Sequence, residues 1–373
     1  MDITVETLRT DMLAYVQRLR LPDQPGLYRY SEDCAQPTLY SSTYVARIMS
    51  LFGALAALPD SERQAWAATI NGYQDDDGLY RDPVIYGEGW YADDPLWCGR
   101  THLTGHVLGA LGALGAVAPR PFAFLAPYRG RQFLEQWLVN RDWGARVAYT
   151  GNEVCNIGRL LQYSRDYHND SAAGRAVSFL LDWLAEHRFN PATGLWGNGD
   201  PDDPIWLSHA VQGAYHWWIL FFYDRYPLRE PERTLDTLLR TQNPRGGFGW
   251  GVHNPQSPHE SSACEDIDSI HPLAQLAAQT PYRRDEVERA LVRAAKWVLS
   301  NRVADGGFAF IRERAYSYGH SGLSNAVERS GLFPTWFRLL SLALIGKALP
   351  KHPLGRYAWH FDNCPGPQIW IDA

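Results

Sequence analysis

Glycine–aromatic turns recur along this chain and constrain its fold more than any other feature. They stand at Gly26-Leu27-Tyr28, Gly78-Leu79-Tyr80, Trp143-Gly144, Gly194-Leu195-Trp196, Gly247-Phe248 and Gly307-Phe308. A spacing of roughly 50 to 66 residues is long for a simple solenoid repeat and suits a helical hairpin with its loops. Before each turn runs an amphipathic segment: Val5, Leu8, Met12, Val16 and Leu19 step by three or four, as do Val287, Leu291, Ala294 and Val298. Such a stripe marks a helix with one buried face. After each turn comes a loop and then a segment with few charges, at 43–58, 103–117, 152–163, 207–222, 272–279 and 335–349. A helix apolar nearly all round is buried. Six buried helices alternating with six amphipathic ones predict an all-α chain folded as an (α/α)6 toroid, an inner ring within an outer ring. The toroid is expected to occupy 1–373 as one domain, with 351–373 as an irregular C-terminal tail. No alternating strand series supports a sheet.

The fifth unit carries the densest chemistry. After Gly246-Gly247-Phe248-Gly249-Trp250 comes Cys264-Glu265-Asp266-Ile267-Asp268-Ser269, followed by Pro272. Asp268 or Ser269 can start a helix whose first turn holds Pro272. Capping does not need three acids, and Glu265, Asp266 and Asp268 in a buried site would raise at least one carboxyl pKa by mutual repulsion. That is the pattern of a candidate acid. In a toroid the segments after the turns all open at one end. The polar residues gathered there are Arg100, His102, Asn152, Arg159, Trp206, His209, Tyr316, His320, Glu328 and Arg329, a candidate lining for a small-molecule site.

Composition excludes other classes. The net charge of −6 and the lack of a basic stripe argue against a nucleic-acid partner. No apolar run reaches the length of a membrane span, and the acidic first residues do not read as a signal peptide, so a cytoplasmic location is expected. The 5 cysteines are odd in number and scattered, which is not a disulfide framework. Aromatic residues reach 13%, with 15 Trp, enough to line a cavity or fill many packing layers.

Gln242 with Gly246 and Phe248, and Gln74 with Gly78 and Tyr80, resemble the Gln-x3-Gly-x-aromatic (QW) repeats of the terpenoid cyclase and protein prenyltransferase superfamily. In the sixth unit Arg302 stands where that Gln would be. The resemblance implies the same toroid. In the protonation-type (class II) cyclases a DxDD motif supplies a general acid that protonates an alkene or epoxide. Asp266-Ile267-Asp268-Ser269 is similar to it, with Asp268 at the acid's position and Ser269 replacing the last aspartate. The activity implied is a protonation-initiated cyclisation of a polyprenyl substrate, an isomerase or lyase reaction, with Asp266 and Glu265 raising the pKa of Asp268. If the substrate bears a diphosphate, Arg100, Arg159 or Arg329 would hold it, with Mg as its companion ion. Two departures are visible: the chain has no room for a second helical domain, and the rim is more polar than a hydrocarbon chamber.

The prenyltransferase branch of the same superfamily implies a zinc site, for which Cys264, Asp266 and His320 are the partial ligand match. Glycoside hydrolases and polysaccharide lyases also use toroids of this kind, and a groove of Trp, His, Asn, Arg and carboxylates suits sugars as well. A non-enzymatic binding or scaffold toroid, whose inner polar residues only bond one another, is the third reading.

Overall fold

A computed structural model describes residues 4–372. Among them the outer helices are α1 (Val5–Leu19), α3 (Asp60–Asn71), α5 (Arg131–Val139), α7 (Ser171–Glu186), α9 (Pro231–Arg240) and α11 (Arg284–Ser300). They alternate in the chain with the inner helices α2 (Leu39–Leu51), α4 (Arg100–Leu114), α6 (Val147–Tyr167), α8 (Pro204–Asp224), α10 (Ala263–Gln279) and α12 (Leu332–Ala348). The periodic stripes decide which face is covered. On α1 the buried residues are Val5, Leu8, Met12, Tyr15, Val16 and Leu19, whereas α12 is buried continuously from Leu332 to Gly346. The inner helices pack in the order α2, α4, α6, α8, α10, α12, and α12 returns to α2, so the ring closes. Outer helices cover it, as α7 does α6 and as α11 does both α10 and α12. The only β pairing in strands among the described residues is two short antiparallel hairpins, Phe189–Asn190 with Leu195–Trp196 and Tyr316–Ser317 with Ser324–Asn325.

The recurring turns are stapled to their neighbours. Gln74 Nε2 donates to the Gly78 carbonyl at 2.8 Å and to that of Arg120 at 2.9 Å. Gln242 Nε2 does the same to Gly246 at 2.9 Å and Ala290 at 2.8 Å. Arg302 performs the task in the sixth unit, with Nε on the Gly306 carbonyl at 3.2 Å and Nη2 on Asp11 of α1 at 2.6 Å. The last unit is thereby tied to the first. Each such turn also hooks its inner helix through the amide of its aromatic residue. Tyr80 N–H donates to Thr104 Oγ1 at 2.9 Å, Phe308 N–H to Thr335 Oγ1 at 3.0 Å, and Phe248 N–H to Asp266 Oδ1 at 2.9 Å. Asp266 therefore fills a position that is threonine in two other units.

Several inner helices begin earlier than the apolar segments suggest, and at α10 the difference matters. Pro272 does not sit in a first turn: α10 starts at Ala263, with Ser262 as N-cap and a capping box in which Ser262 Oγ accepts from Glu265 N–H and Glu265 accepts from Ser262 N–H. Asp268 and Ser269 therefore lie inside the helix and cap nothing. Pro272 has no N–H, so it leaves the Asp268 carbonyl, four residues back, without its usual helical donor.

The residues after α12 hold one short 3₁₀ helix, Pro353–Arg356, and otherwise no helix or strand among the described residues, and they are docked onto the ring. His360 N–H donates to the Leu51 carbonyl at 3.1 Å, Asp362 accepts from Ser50 at 2.7 Å, and Cys364 lies 3.4 Å from the Leu108 carbonyl. Gln368, fully buried, bonds Arg47 of α2 and Trp336 of α12, and the Ile371 carbonyl accepts from Gln275 of α10 at 2.7 Å. Apart from Trp336, these contacts fall on the C-terminal halves of inner helices. The tail crosses the end of the ring opposite the glycine turns.

Candidate functional site

The N-terminal half of α10 carries the acids, and helical geometry divides them. Glu265 is the capping residue. Besides Ser262 N–H it accepts from Val252 N–H at 3.0 Å, and His253 Nδ1 lies 3.6 Å away. Burial pushes its carboxyl up, but the His253 ring and the Ser262 donors outweigh that and hold it below the ordinary value. Its loop comes so close that a Cβ on Gly249, whose φ is +88°, would stand 2.6 Å from Glu265 Oε1.

Asp266 is surrounded by donors. Besides Phe248 N–H it accepts from Ser261 Oγ at 2.9 Å and from Trp297 Nε1 of α11 at 2.9 Å, and it forms an ion pair with Arg338 of α12. Both ion-pair side chains are excluded from solvent. Arg338 also donates to the carbonyls of Ala309, Ser261 and Phe310. Burial raises the Asp266 carboxyl, with Arg338 and the other donors opposing.

Asp268 differs from both. It is 3% exposed, and no described residue hydrogen-bonds its carboxyl group. Burial first, then the charges of Glu265 and Asp266, push its carboxyl well above the ordinary value. It lies near Cys264, one turn back on α10, and near Tyr215 of α8: its charge is among the causes that, after burial, raise the pKa of both. The Tyr215 hydroxyl also lacks a partner. On the inner side of the ring an aromatic wall continues from this point. Phe310 stacks on Tyr316 with centroids 3.9 Å apart, Phe333 on Tyr318 at 4.5 Å, and Phe337 lies against Phe333 and Trp336 at 4.7 and 4.6 Å. Cys264, His209 and His216 keep accessible surface although they sit on inner helices, and so does Tyr316 of the second hairpin.

The other expected lining residues separate sharply. Arg100 is held by Asp94, Asp77 and Asp75. Arg329 pairs with Glu32 and Glu328 with Arg312, on exposed surface and away from each other. His320 bonds Glu88 at 2.9 Å through Nε2 and accepts Gly322 N–H through Nδ1. Arg100, Arg329, Glu328 and His320 are thus each tied to a charged side chain. His102 and Arg159 are both buried: Arg159 is 3% exposed and donates to the His102 carbonyl at 2.9 Å and Asn156 at 2.7 Å, with Nε unpartnered. No carboxylate of the described residues pairs with it, whereas the buried Arg47 has Asp362 at 3.8 Å and Arg338 has Asp266. Trp206 stands half-buried in the first turn of α8, Asn152 and His209 in the second turns of α6 and α8, and the Trp206 Nε1–H has no partner. Burial lowers the His209 pKa.

The zinc expectation fails. No group of three candidate ligands comes together among the described residues, because Asp266 is committed to Arg338 and His320 to Glu88. Sequence reading also missed Arg338 and Arg47. Their signal was available: a lone arginine in an otherwise apolar helix must find a buried counter-charge.

No protein-family model matches the chain, and no curated protein matches it. Solved structures do resemble it. A glycosyl hydrolase family 88 protein from Bacteroides vulgatus has a TM-score of 0.52 at 14% identity, over 92% of this chain and 99% of that one. A type II terpene cyclase from Scytonema, in complex with geranylgeranyl dihydroxybenzoate, has a TM-score of 0.48 at 15% identity, over 93% and 97%. An alpha-1,6-mannanase from Salegentibacter has 0.48 at 12%, over 92% and 98%. Of these three the first alone has a TM-score above 0.5, and at its identity the likeness speaks for the fold alone. No helix among the described residues is long and apolar enough to cross a membrane.

Proposed function

We propose that this protein catalyses a protonation-initiated cyclisation of a polyprenyl substrate, with Asp268 as the general acid. The observation that carries the reading is one buried carboxyl group without a hydrogen-bond partner, beside two carboxyls that have several each. An acid that protonates an alkene must hold its proton near neutral pH and must not have it engaged elsewhere. Burial and the negative charges of Glu265 and Asp266 supply the first condition, and the lack of a partner supplies the second. The rings of Tyr316 and Phe337, which keep some accessible surface, would offer π faces to the cations that follow. A diphosphate or other anionic head would rest on Arg159, since Arg100 and Arg329 already have acidic partners.

A glycan-cleaving reaction is supported less well. Glycoside hydrolysis ordinarily uses two carboxyl groups flanking the bond, and Glu265 and Asp266 are occupied as cap and ion pair. The test is product analysis with a panel of polyprenyl substrates and, separately, acidic oligosaccharides. Wild type is expected to give a cyclic terpenoid, with any diphosphate retained, and Asp268→Asn is expected to give none. Cleavage of a polysaccharide together with unchanged prenyl substrates would replace this reading with the glycan-active one.

A further inference from the structure

A hydrogen-bonded chain runs along α4 that the acid does not use. The buried Cys98 carbonyl takes the Tyr40 O–H at 3.2 Å, and His102 Nδ1 lies 2.7 Å from the same Tyr40 oxygen. The hydroxyl has one proton, and a buried carbonyl needs a donor, so His102 Nδ1 carries the hydrogen toward Tyr40. His102 Nε2 is then a lone pair. It faces His106 Nε2 at 3.3 Å and the Tyr318 hydroxyl at 3.4 Å. Two lone pairs cannot face each other at that distance, so His106 Nε2 bears a hydrogen. The remaining nitrogen, His106 Nδ1, is a lone pair that no described residue engages, on a ring held edge-on by Tyr40, Tyr44 and Trp336 at 5.7, 5.4 and 5.4 Å.

The place of His106 in the ring is as specific as its tautomer. Thr104, Asp266 and Thr335 are the three residues that receive the turn amides, and two residues beyond them stand His106, Asp268 and Phe337. Asp268 and His106 therefore share one level of the ring. The order α2, α4, α6, α8, α10, α12 puts α4 three steps from α10 in either direction, on the opposite wall.

We infer that His106 Nδ1 is the base that ends the cyclisation begun by Asp268. The inference rests on the reading in the previous subsection. Asp268 gives its carboxyl proton to one alkene carbon, and the π pair forms the new C–H bond. A second alkene supplies its π pair to the cation, and a C–C bond closes. At the far end a C–H bond next to the final cation breaks, its electron pair forms a C=C bond, and the proton goes to His106 Nδ1. The imidazolium returns that proton to water as the Asp268 carboxylate takes one up, so the net change is an isomerisation. Burial is the main reason that both imidazoles lie well below their ordinary pKa, with the Arg159 charge adding to it. That keeps His106 neutral with its lone pair free, and a proton beside a carbocation is acidic enough for such a base.

Two measurements test this. The imidazole 15N spectrum of the free enzyme at neutral pH is expected to show His106 with an unprotonated Nδ1 and a protonated Nε2, and the reverse tautomer overturns the assignment. Product analysis of His106→Phe is expected to show the wild-type alkene at least tenfold reduced as a share of converted substrate, with water-quenched or isomeric products in its place. If that variant does not fold, His106→Gln and the spectrum carry the test. Wild-type cyclisation with an unchanged product from a folded variant overturns the base alone. A wild type that leaves every polyprenyl substrate unchanged overturns the cyclase reading and the base with it.

Discussion

Asp266 and Asp268 are two residues apart on one helix and have opposite surroundings. Asp266 receives the turn amide, a serine hydroxyl, an indole N–H from the outer ring and a guanidinium from the adjacent inner helix. Asp268, about 200° further round the helix, receives nothing from the described residues and meets aromatic and thiol neighbours. A buried carboxylate with this many donors is a structural joint. A buried carboxyl with none retains its proton at the cost of stability. The pair separates what a cluster of acids conceals in a sequence: the same residue type holds the ring together on one side of a helix and is left without a side-chain partner on the other.

The largest expected effect tests the free member. Asp268→Asn keeps the shape and removes the transferable proton, so turnover should fall by about 10²–10⁴-fold or more while the fold persists, read by product formation and circular dichroism. The reverse outcome, a folded variant with full activity, would abolish the distinction. Arg338→Met leaves Asp266 buried without its counter-charge and should cost about 3–5 kcal/mol in chemical denaturation. Asp266→Asn should resemble it, damaging folding before catalysis. A mild, purely catalytic phenotype would return Asp266 to the role of a mere pKa modulator.

The third test uses pH. Asp268 has its folded-state pKa raised, so its favourable contribution is complete below the unfolded value near ~3.9 and is lost as pH rises toward the folded one. Wild-type stability should therefore fall relative to Asp268→Asn, by up to about 1.4 kcal/mol for each pH unit between those two values. Parallel stability curves for the two proteins from pH 4 to 8 would contradict the raised pKa. The smallest effect is that of Glu265→Gln, which keeps part of the capping box and should cost about 1 kcal/mol, measured by thermal melting.

The toroid was legible because its signals are local and repeated: the turns at Gly78, Gly247 and Gly307 and the stripes of α1 and α11 each announce themselves within a few residues. The start of α10 was legible too, in the capping box of Ser262 and Glu265, but Pro272 suits a first turn equally well and points to a later start. The division between Asp266 and Asp268 was not legible, because the deciding donors come from Phe248, Ser261, Trp297 and Arg338, separated by up to 90 residues of chain. The same holds for Arg100 and Arg159. Both are arginines on inner helices, and only the folded ring gives one of them three aspartates and the other none.

The docked tail gives the ring a direction. With Gln368 wedged between Arg47 and Trp336, and Ile371 held by Gln275, one end of the toroid is stoppered, so any passage to the interior has to run through the other end, where the Trp90–Gly319 and Tyr91–Tyr318 bonds join two loops. On the proposed reading, substrate and product would share that one passage, and a spent molecule would have to leave before a fresh one is admitted. The steady-state pace can be set by that exit, and a first turnover quicker than those that follow would be its mark.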